Sequence, residues 1–149
     1  MNISIFRLVV LYTKCIVMTI NPHKDIIIFD GACNLCNGVV GWLLKYTGLS
    51  NFNFIPFQSP EGQRLLHLYN KPTTHLDTII LIDHKGLHTH SDGFLRVIST
   101  IPQWRHMAAL LAFIPKMIRD YIYRTASKNR LKWFGKSSSC YIGLYHTSA

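Results

Sequence analysis

The spacing of apolar residues changes from segment to segment along this chain, and each spacing names an element. Residues 26–29, Ile-Ile-Ile-Phe, are an unbroken β-branched and aromatic run, the mark of a strand buried on both faces. Asp30-Gly31-Ala32 ends it. From Cys33 to Tyr46, Leu35, Val39, Val40, Leu43 and Leu44 recur close to helical spacing, and Gly48 suits a left-handed C-terminal cap. Residues 52–57 predict a second strand that Pro56 stops or confines to a sheet edge. Ser59-Pro60-Glu61 opens a helix with proline in its first turn, running to about Tyr69. After the loop at Lys71–Thr74, residues 78–82 form a third strand. Asp83–Gly86 is a turn, and residues 87–90 return as a short fourth strand, which makes a β-hairpin. Ser91 or Asp92 then caps a helix to about Thr100. The remainder is helical: residues 103–114, a new segment from Pro115 to about Ser127, and a last turn at 129–134 ended by Gly135.

The order β-α-β-α-β-β-α has a mechanical consequence. Two strands joined through a helix run parallel, and the later hairpin is antiparallel. The predicted architecture is α/β: a thioredoxin-like mixed four-stranded sheet flanked by helices, with a C-terminal helical extension over 102–141. The domain spans 25–141, after an N-terminal extension (1–24) and before a tail (142–149). In the extension Arg7 and Lys14 interrupt the apolar character, and no small-residue cleavage site follows, which argues against a signal peptide. The expectation is that the functional protein starts near Met18.

Composition narrows the picture. A chain of 149 residues fits one domain, and 48% hydrophobic content excludes a disordered chain. No apolar run reaches the roughly 18 residues of a spanning helix. Four cysteines are too few for a disulfide-dense scaffold. The formal net charge of +9 is concentrated late: residues 101–149 hold eight cations (Arg105, Lys116, Arg119, Arg124, Lys128, Arg130, Lys132, Lys136) against one acid, Asp120. Such an excess fits nucleic acid, an anionic membrane surface or simple solubility, and composition does not choose among them.

The close pair Cys33 and Cys36 falls where a buried strand passes into a helix. Cys33 at the helix N-cap faces unpaired backbone amides, which favour thiolate, the form that attacks disulfides. Cys36, one turn later, can reach back to close a bridge. Cys33 is therefore the expected nucleophile, more exposed and more acidic, and Cys36 the resolving thiol. Asp30 is close to both and is a candidate acceptor for the Cys36 proton, or simply a turn residue. Two other readings compete. A zinc site would need further ligands from His75, His84, His88, His90 and Cys140, and no second CxxC is present. The pair could also be buried structural thiols.

The run Ile28-Phe-Asp30-Gly-Ala-Cys33-Asn-Leu-Cys36 resembles the opening of the DCC family of thiol-disulfide oxidoreductases. The resemblance continues in Phe54-Ile-Pro-Phe-Gln58-Ser-Pro60-Glu61, Ser91-Asp92-Gly93, Ile114-Pro115, Tyr123-Arg124, Asn129-Arg130, Phe134-Gly135-Lys136 and Cys140, across roughly residues 25–141. It implies a thioredoxin-like fold and disulfide exchange through Asp30, Cys33 and Cys36. Most thioredoxin-like proteins place a cis-proline before the third strand, beside the CxxC. Leu76-Asp77-Thr78 stands there instead, and a trans bond is expected because a non-proline cis bond costs about 3–4 kcal/mol. Asp77 and Thr78 are the candidate substrate-binding residues.

Arg124, Asn129, Arg130 and Lys136 either rim the site or lie on solvated helix faces. Trp104, Met107, Leu110 and Tyr121 are expected in the core, with Phe113 and Phe134 covered as well. Cys140 is read as an inert thiol or a third redox thiol. The functional expectation is a cytoplasmic enzyme of the protein-disulfide reductase type. It carries no cofactor beyond its dithiol and no metal. Its partners are a disulfide-containing protein or small thiol and an unidentified electron donor, with no nucleic acid. The alternatives are a non-enzymatic basic binding module for nucleic acid or an anionic membrane surface, and a structural zinc domain. Peripheral membrane contact ranks behind the enzymatic reading.

Overall fold

A computed structural model describes residues 23–47 and 51–137. The Met18 start, Gly48 and Cys140 lie outside the described residues. Strand β1 (Asp25–Phe29) leads into helix α1 (Asn34–Thr47), then β2 (Phe52–Pro56), α2 (Pro60–Leu68), β3 (Ile80–Asp83), β4 (Gly86–His88) and α3 (His90–Ser99). A 3-10 turn (Pro102–Trp104), α4 (Arg105–Ala112) and the long α5 (Lys116–Phe134) complete the fold.

The sheet order is β2-β1-β3-β4. β1 pairs parallel with β2, Ile27 opposite Phe54, and antiparallel with β3, Ile27 opposite Leu81. The β3–β4 hairpin is antiparallel. This is the mixed thioredoxin-like sheet that the apolar spacing predicts. Pro56 ends β2 at the sheet edge, where its missing N–H costs no ladder bond.

Alternation along the strands divides the core between the two sheet faces. Ile27, Phe29, Phe54 and Leu81 pack with Val40 and Leu43 of α1 and Val97 of α3. Ile28, Ile55, Ile80 and Ile82 pack with Leu65 and Leu66 of α2. Both cysteines belong to the first cluster. Ser59 caps α2, accepting from the Gly62 amide. Gly62 is obligatory: a Cβ there would lie 2.4 Å from the Pro56 carbonyl oxygen.

The C-terminal half departs from the expectation in three ways. α3 begins two to three residues earlier than a Ser91 or Asp92 cap would give, with Thr89 at the N-cap and no side-chain capping bond. The expected caps are drawn elsewhere: Ser91 donates to Asp120 at 2.5 Å, and Asp92 pairs with Lys116 and Arg119. α5 is one continuous helix to Phe134, because Ala126–Asn129 contains no helix breaker. Finally, Trp104 packs edge-on against Trp42, but Met107, Leu110 and Tyr121 are exposed, as are Phe113 and Phe134. The segment does pack on the domain, α4 burying Ala108 and α5 burying Arg130, but most of its apolar residues face outward.

Candidate active site

The site lies at the C-terminal end of β1, where the chain turns into α1. Asp30 follows the strand, and its carboxylate organises the turn. Oδ1 accepts from the Ala32 amide at 3.0 Å and from Gln58 Nε2 at 2.7 Å. Asn37, one turn into α1, donates to the Gly31 carbonyl at 2.9 Å and braces the same loop from inside. Cys33 stands at the N-cap position, its carbonyl accepting from the Asn37 amide at 2.9 Å. That is the placement predicted from the strand-to-helix junction. Cys36 sits a turn inside, within hydrogen-bonding reach of the Cys33 thiol. The two are free thiols, so the pair is described in its reduced form.

Cys33 is 0% exposed and Cys36 is 4% exposed, so the expected greater exposure of Cys33 is not found. The chain after α5 accounts for this. Gly135, at φ 77°, breaks the helix, and residues 134–137 cross the CxxC turn as a strap. Lys136 forms an antiparallel bridge with Cys33, and the Ser137 amide donates to the Ala32 carbonyl at 2.8 Å. The Asn34 amide donates to the Gly135 carbonyl at 3.4 Å. Asn34 Nδ2 donates to the carbonyls of Phe134 (2.9 Å) and Lys136 (3.3 Å). Asn34, between the cysteines, thus fastens the strap.

The principal cation of the site is Arg130. It is buried, and its guanidinium fork links three groups. Nη1 donates to Cys36 Sγ at 3.2 Å; Nη2 donates to Asp30 Oδ2 at 3.0 Å and also to the Leu76 carbonyl. Of the two sequence readings for Arg130, the structure supports the one that brings it to the site. Lys136, itself exposed, reaches the site through its backbone, in the strap over Cys33; Arg124 is exposed on α5, and Asn129 bonds back to the Thr125 carbonyl. Burial pushes the Cys36 thiol up to about 12, with the Cys33 thiol and the Asp30 charge adding to the rise. The Arg130 charge works in the opposite direction.

α5 reaches the site through a stripe at helical spacing: Tyr123, Ser127 and Arg130. These side chains clamp the segment that replaces the proline loop of other thioredoxin-like proteins. Arg130 holds the Leu76 carbonyl and Ser127 the Asp77 carbonyl. The Tyr123 hydroxyl bonds with Thr78 Oγ1 at 3.1 Å and accepts from the Ile79 amide at 3.2 Å. Burial raises the Tyr123 phenol above its ordinary range, so it stays protonated. Thr78 is buried, its hydroxyl also accepting from the His90 amide at 2.9 Å. Asp77 points outward, 3.4 Å from His75. The described residues contain no cis peptide bond.

Three of the four histidines weighed as zinc ligands have local partners, His88 with Asp83, His75 with Asp77 and His90 with Thr89, and His84 is exposed in the β3–β4 turn. Among the described residues no group of three or more His, Cys, Asp or Glu side chains is placed to hold a metal. Nor, among them, is any helix long and apolar enough to cross a membrane.

Sequence reading missed the positioning residues Gln58, Tyr123, Ser127 and Asn34. For Tyr123, Ser127 and Arg130 the signal was available: polar or amphipathic groups at i, i+4 and i+7 on a helix whose other faces are apolar or basic. Gln58 stood within a stretch that carries the family resemblance, but its local spacing gave no sign of its bond to Asp30.

A dithiol at a strand-to-helix turn of a mixed four-stranded sheet defines a thioredoxin-like oxidoreductase. Residues 27–136 match the model of the DCC1-like thiol-disulfide oxidoreductase family, and the chain belongs to that family. It is 36% identical over 122 residues to the protein YuxK of Bacillus subtilis, covering 81% of this chain and 88% of that one. It is 30% identical over 118 residues to a chloroplastic DCC family protein of Arabidopsis thaliana, covering 78% of this chain and 69% of that protein. No solved structure matches it.

Proposed function

We propose that the protein is a disulfide reductase of the cytoplasm in which Cys33 attacks and Cys36 resolves. The observation that carries this reading is the pair of free thiols across the first turn of α1, with the Arg130 guanidinium against the inner sulfur. Cys33, as thiolate at the helix N-terminus, attacks one sulfur of a substrate disulfide. A Cys33–substrate disulfide forms and the first substrate sulfur leaves as a thiolate. Cys36 then attacks Cys33 Sγ. The Cys33–Cys36 bond forms, the bond to substrate breaks, and the Cys36 proton leaves with the departing thiol. The substrate gains two electrons, and the enzyme holds the oxidised equivalent as its disulfide. A dithiol protein or a low-molecular-weight thiol restores the reduced pair. The chemistry needs no cofactor and no metal.

Arg130 serves the second step. The inner thiol must ionise in an apolar cluster, and among the described residues the charge held against it that favours ionisation is that guanidinium. Asp30 is engaged by Ala32, Gln58 and Arg130, so in this reading it aims Arg130 at Cys36 rather than taking the proton itself. Asp77, exposed beside the clamped segment, is the substrate-facing residue of that loop; Thr78 supports it from below.

Trapping tests the reading. Cys36→Ser should accumulate a mixed disulfide with substrate, because it attacks but cannot release. Cys33→Ser should trap nothing. Equal trapping of the same partner by both variants overturns the role assignment. Disulfide reduction that persists in both variants without trapping overturns the reading altogether.

A further inference from the structure

The outer face of the C-terminal helices has no assigned role and an unusual make-up. Phe113 and Met117 flank the Ile114-Pro115 turn between α4 and α5 and are 87% and 85% exposed. Leu110, Ile118, Tyr121 and Ile122 extend this apolar corner, all more than half exposed. Met117 and Tyr121 lie on one face of α5, and the same face continues at three- and four-residue spacing through Arg124, Lys128 and Lys132. The ion pairs of α5 involve Lys116, Arg119, Asp120 and Arg130, and these three outward cations form none among the described residues. The opposite face of the helix carries Tyr123, Ser127 and Arg130 to the dithiol.

We infer that this surface docks the protein on an anionic lipid bilayer, with Phe113 and Met117 entering the interface and Arg124, Lys128 and Lys132 on the headgroups. Exposed apolar patches of this kind mark interaction sites, and the flanking charge selects an anionic occupant. A second copy is disfavoured, since a two-fold contact uses the same patch on both subunits and the one acid of α5, Asp120, is already held by Ser91 and Lys116. The chain's own residues 1–22 are disfavoured too, for they contain Arg7 and Lys14 and no acid. Between a bilayer and an acidic protein, the shape of the corner decides. Side chains nearly as exposed as in an extended chain have no flanking walls, so a rigid partner would have to supply a complete pocket. Fluid lipid closes around them without one. An apolar tip beside a basic face is the composition of interfacial helices, whose binding adds apolar burial to attraction for anionic headgroups. Docking in this way leaves the dithiol face of α5 turned from the membrane.

Flotation of the full chain with vesicles tests this, using phosphatidylcholine alone and an equal mixture with phosphatidylglycerol. The protein should float with the mixed vesicles only, and high salt should release it. Phe113→Ser with Met117→Ser, and separately Lys128→Glu with Lys132→Glu, should each lower the bound fraction about tenfold or more. All four positions are exposed, so both variants should keep the wild-type circular dichroism. Failure of the wild type to float with either vesicle overturns the inference, as does undiminished binding of both variants. So does a solution dimer that the Phe113 and Met117 substitutions dissociate, which would assign the face to a second copy.

Discussion

At the scale of single residues, the site turns on Arg130, a charge buried with Asp30 as its counter-ion and Cys36 as its third-row neighbour. Removing one partner of a buried pair leaves the other charge uncompensated and typically costs about 3–5 kcal/mol. Arg130→Met should therefore lower stability by an amount of that order in chemical denaturation. A purely structural arginine would do no more. The present account adds a kinetic effect: without the guanidinium the Cys36 thiolate is rarer, and each unit of pKa rise removes a factor of about ten. Release of substrate from the Cys33 mixed disulfide should slow about tenfold or more in Arg130→Met, while the first attack changes less. Arg130→Lys should recover part of the rate, retaining charge but losing the fork that reaches Asp30 and Leu76 together. Stopped-flow release of a chromogenic thiol checks both. Equal slowing of the two steps contradicts the assignment. Asp30, Cys33 and Cys36 were legible in the sequence because each stands at a fixed place on a strand-to-helix turn. Arg130 was legible as one of four residues that could rim the site, but not as the one that enters it, since nothing local distinguishes a helix residue that points inward from its solvated neighbours.

At the scale of elements, the strap over the CxxC turn separates this site from an open dithiol. It depends on Gly135, whose φ of 77° and ψ of 178° form a conformation essentially reserved for glycine. Gly135→Val should cost about 1–3 kcal/mol locally and loosen the strap. Alkylation of Cys33 by a small reagent should then accelerate several-fold, with Asn34→Ala acting in the same direction by losing its two carbonyl partners. Peptide mass spectrometry of timed samples gives the rates. Unchanged Cys33 labelling in both variants would show that the strap does not control access. The sequence contained the helix-ending glycine at its correct position, but not where the chain goes afterwards. A bridge between residues 33 and 136 is a contact across the whole domain, and local spacing carries no trace of it. The same limit applies to α3. Its start shifted because Ser91 and Asp92, good caps in isolation, bond instead to Asp120, Lys116 and Arg119 of α5.

At the scale of the whole molecule, the sheet and its two-faced core were readable from apolar spacing because a buried strand and an amphipathic helix have different periods. The C-terminal helices were misread for the same reason. Their apolar residues recur at helical spacing, which signals a covered face without saying what covers it. Here α4 and α5 meet the domain through Ala108, Tyr123, Ser127 and Arg130, and Phe113, Met117 and Tyr121 are left outside. A polar inner face serves the dithiol, and an apolar and basic outer face remains for a partner. The central claim is that Cys33 and Cys36 form a reversible redox couple, and equilibrium titration of the pair in a glutathione series, with metal content measured on the same sample, tests it most directly. The account predicts one two-electron transition, with loss of two protons' mass on oxidation, no bound zinc, and disappearance of the transition in Cys33→Ser and in Cys36→Ser. A pair that stays reduced across the series, or one zinc per chain held by these cysteines, would contradict it.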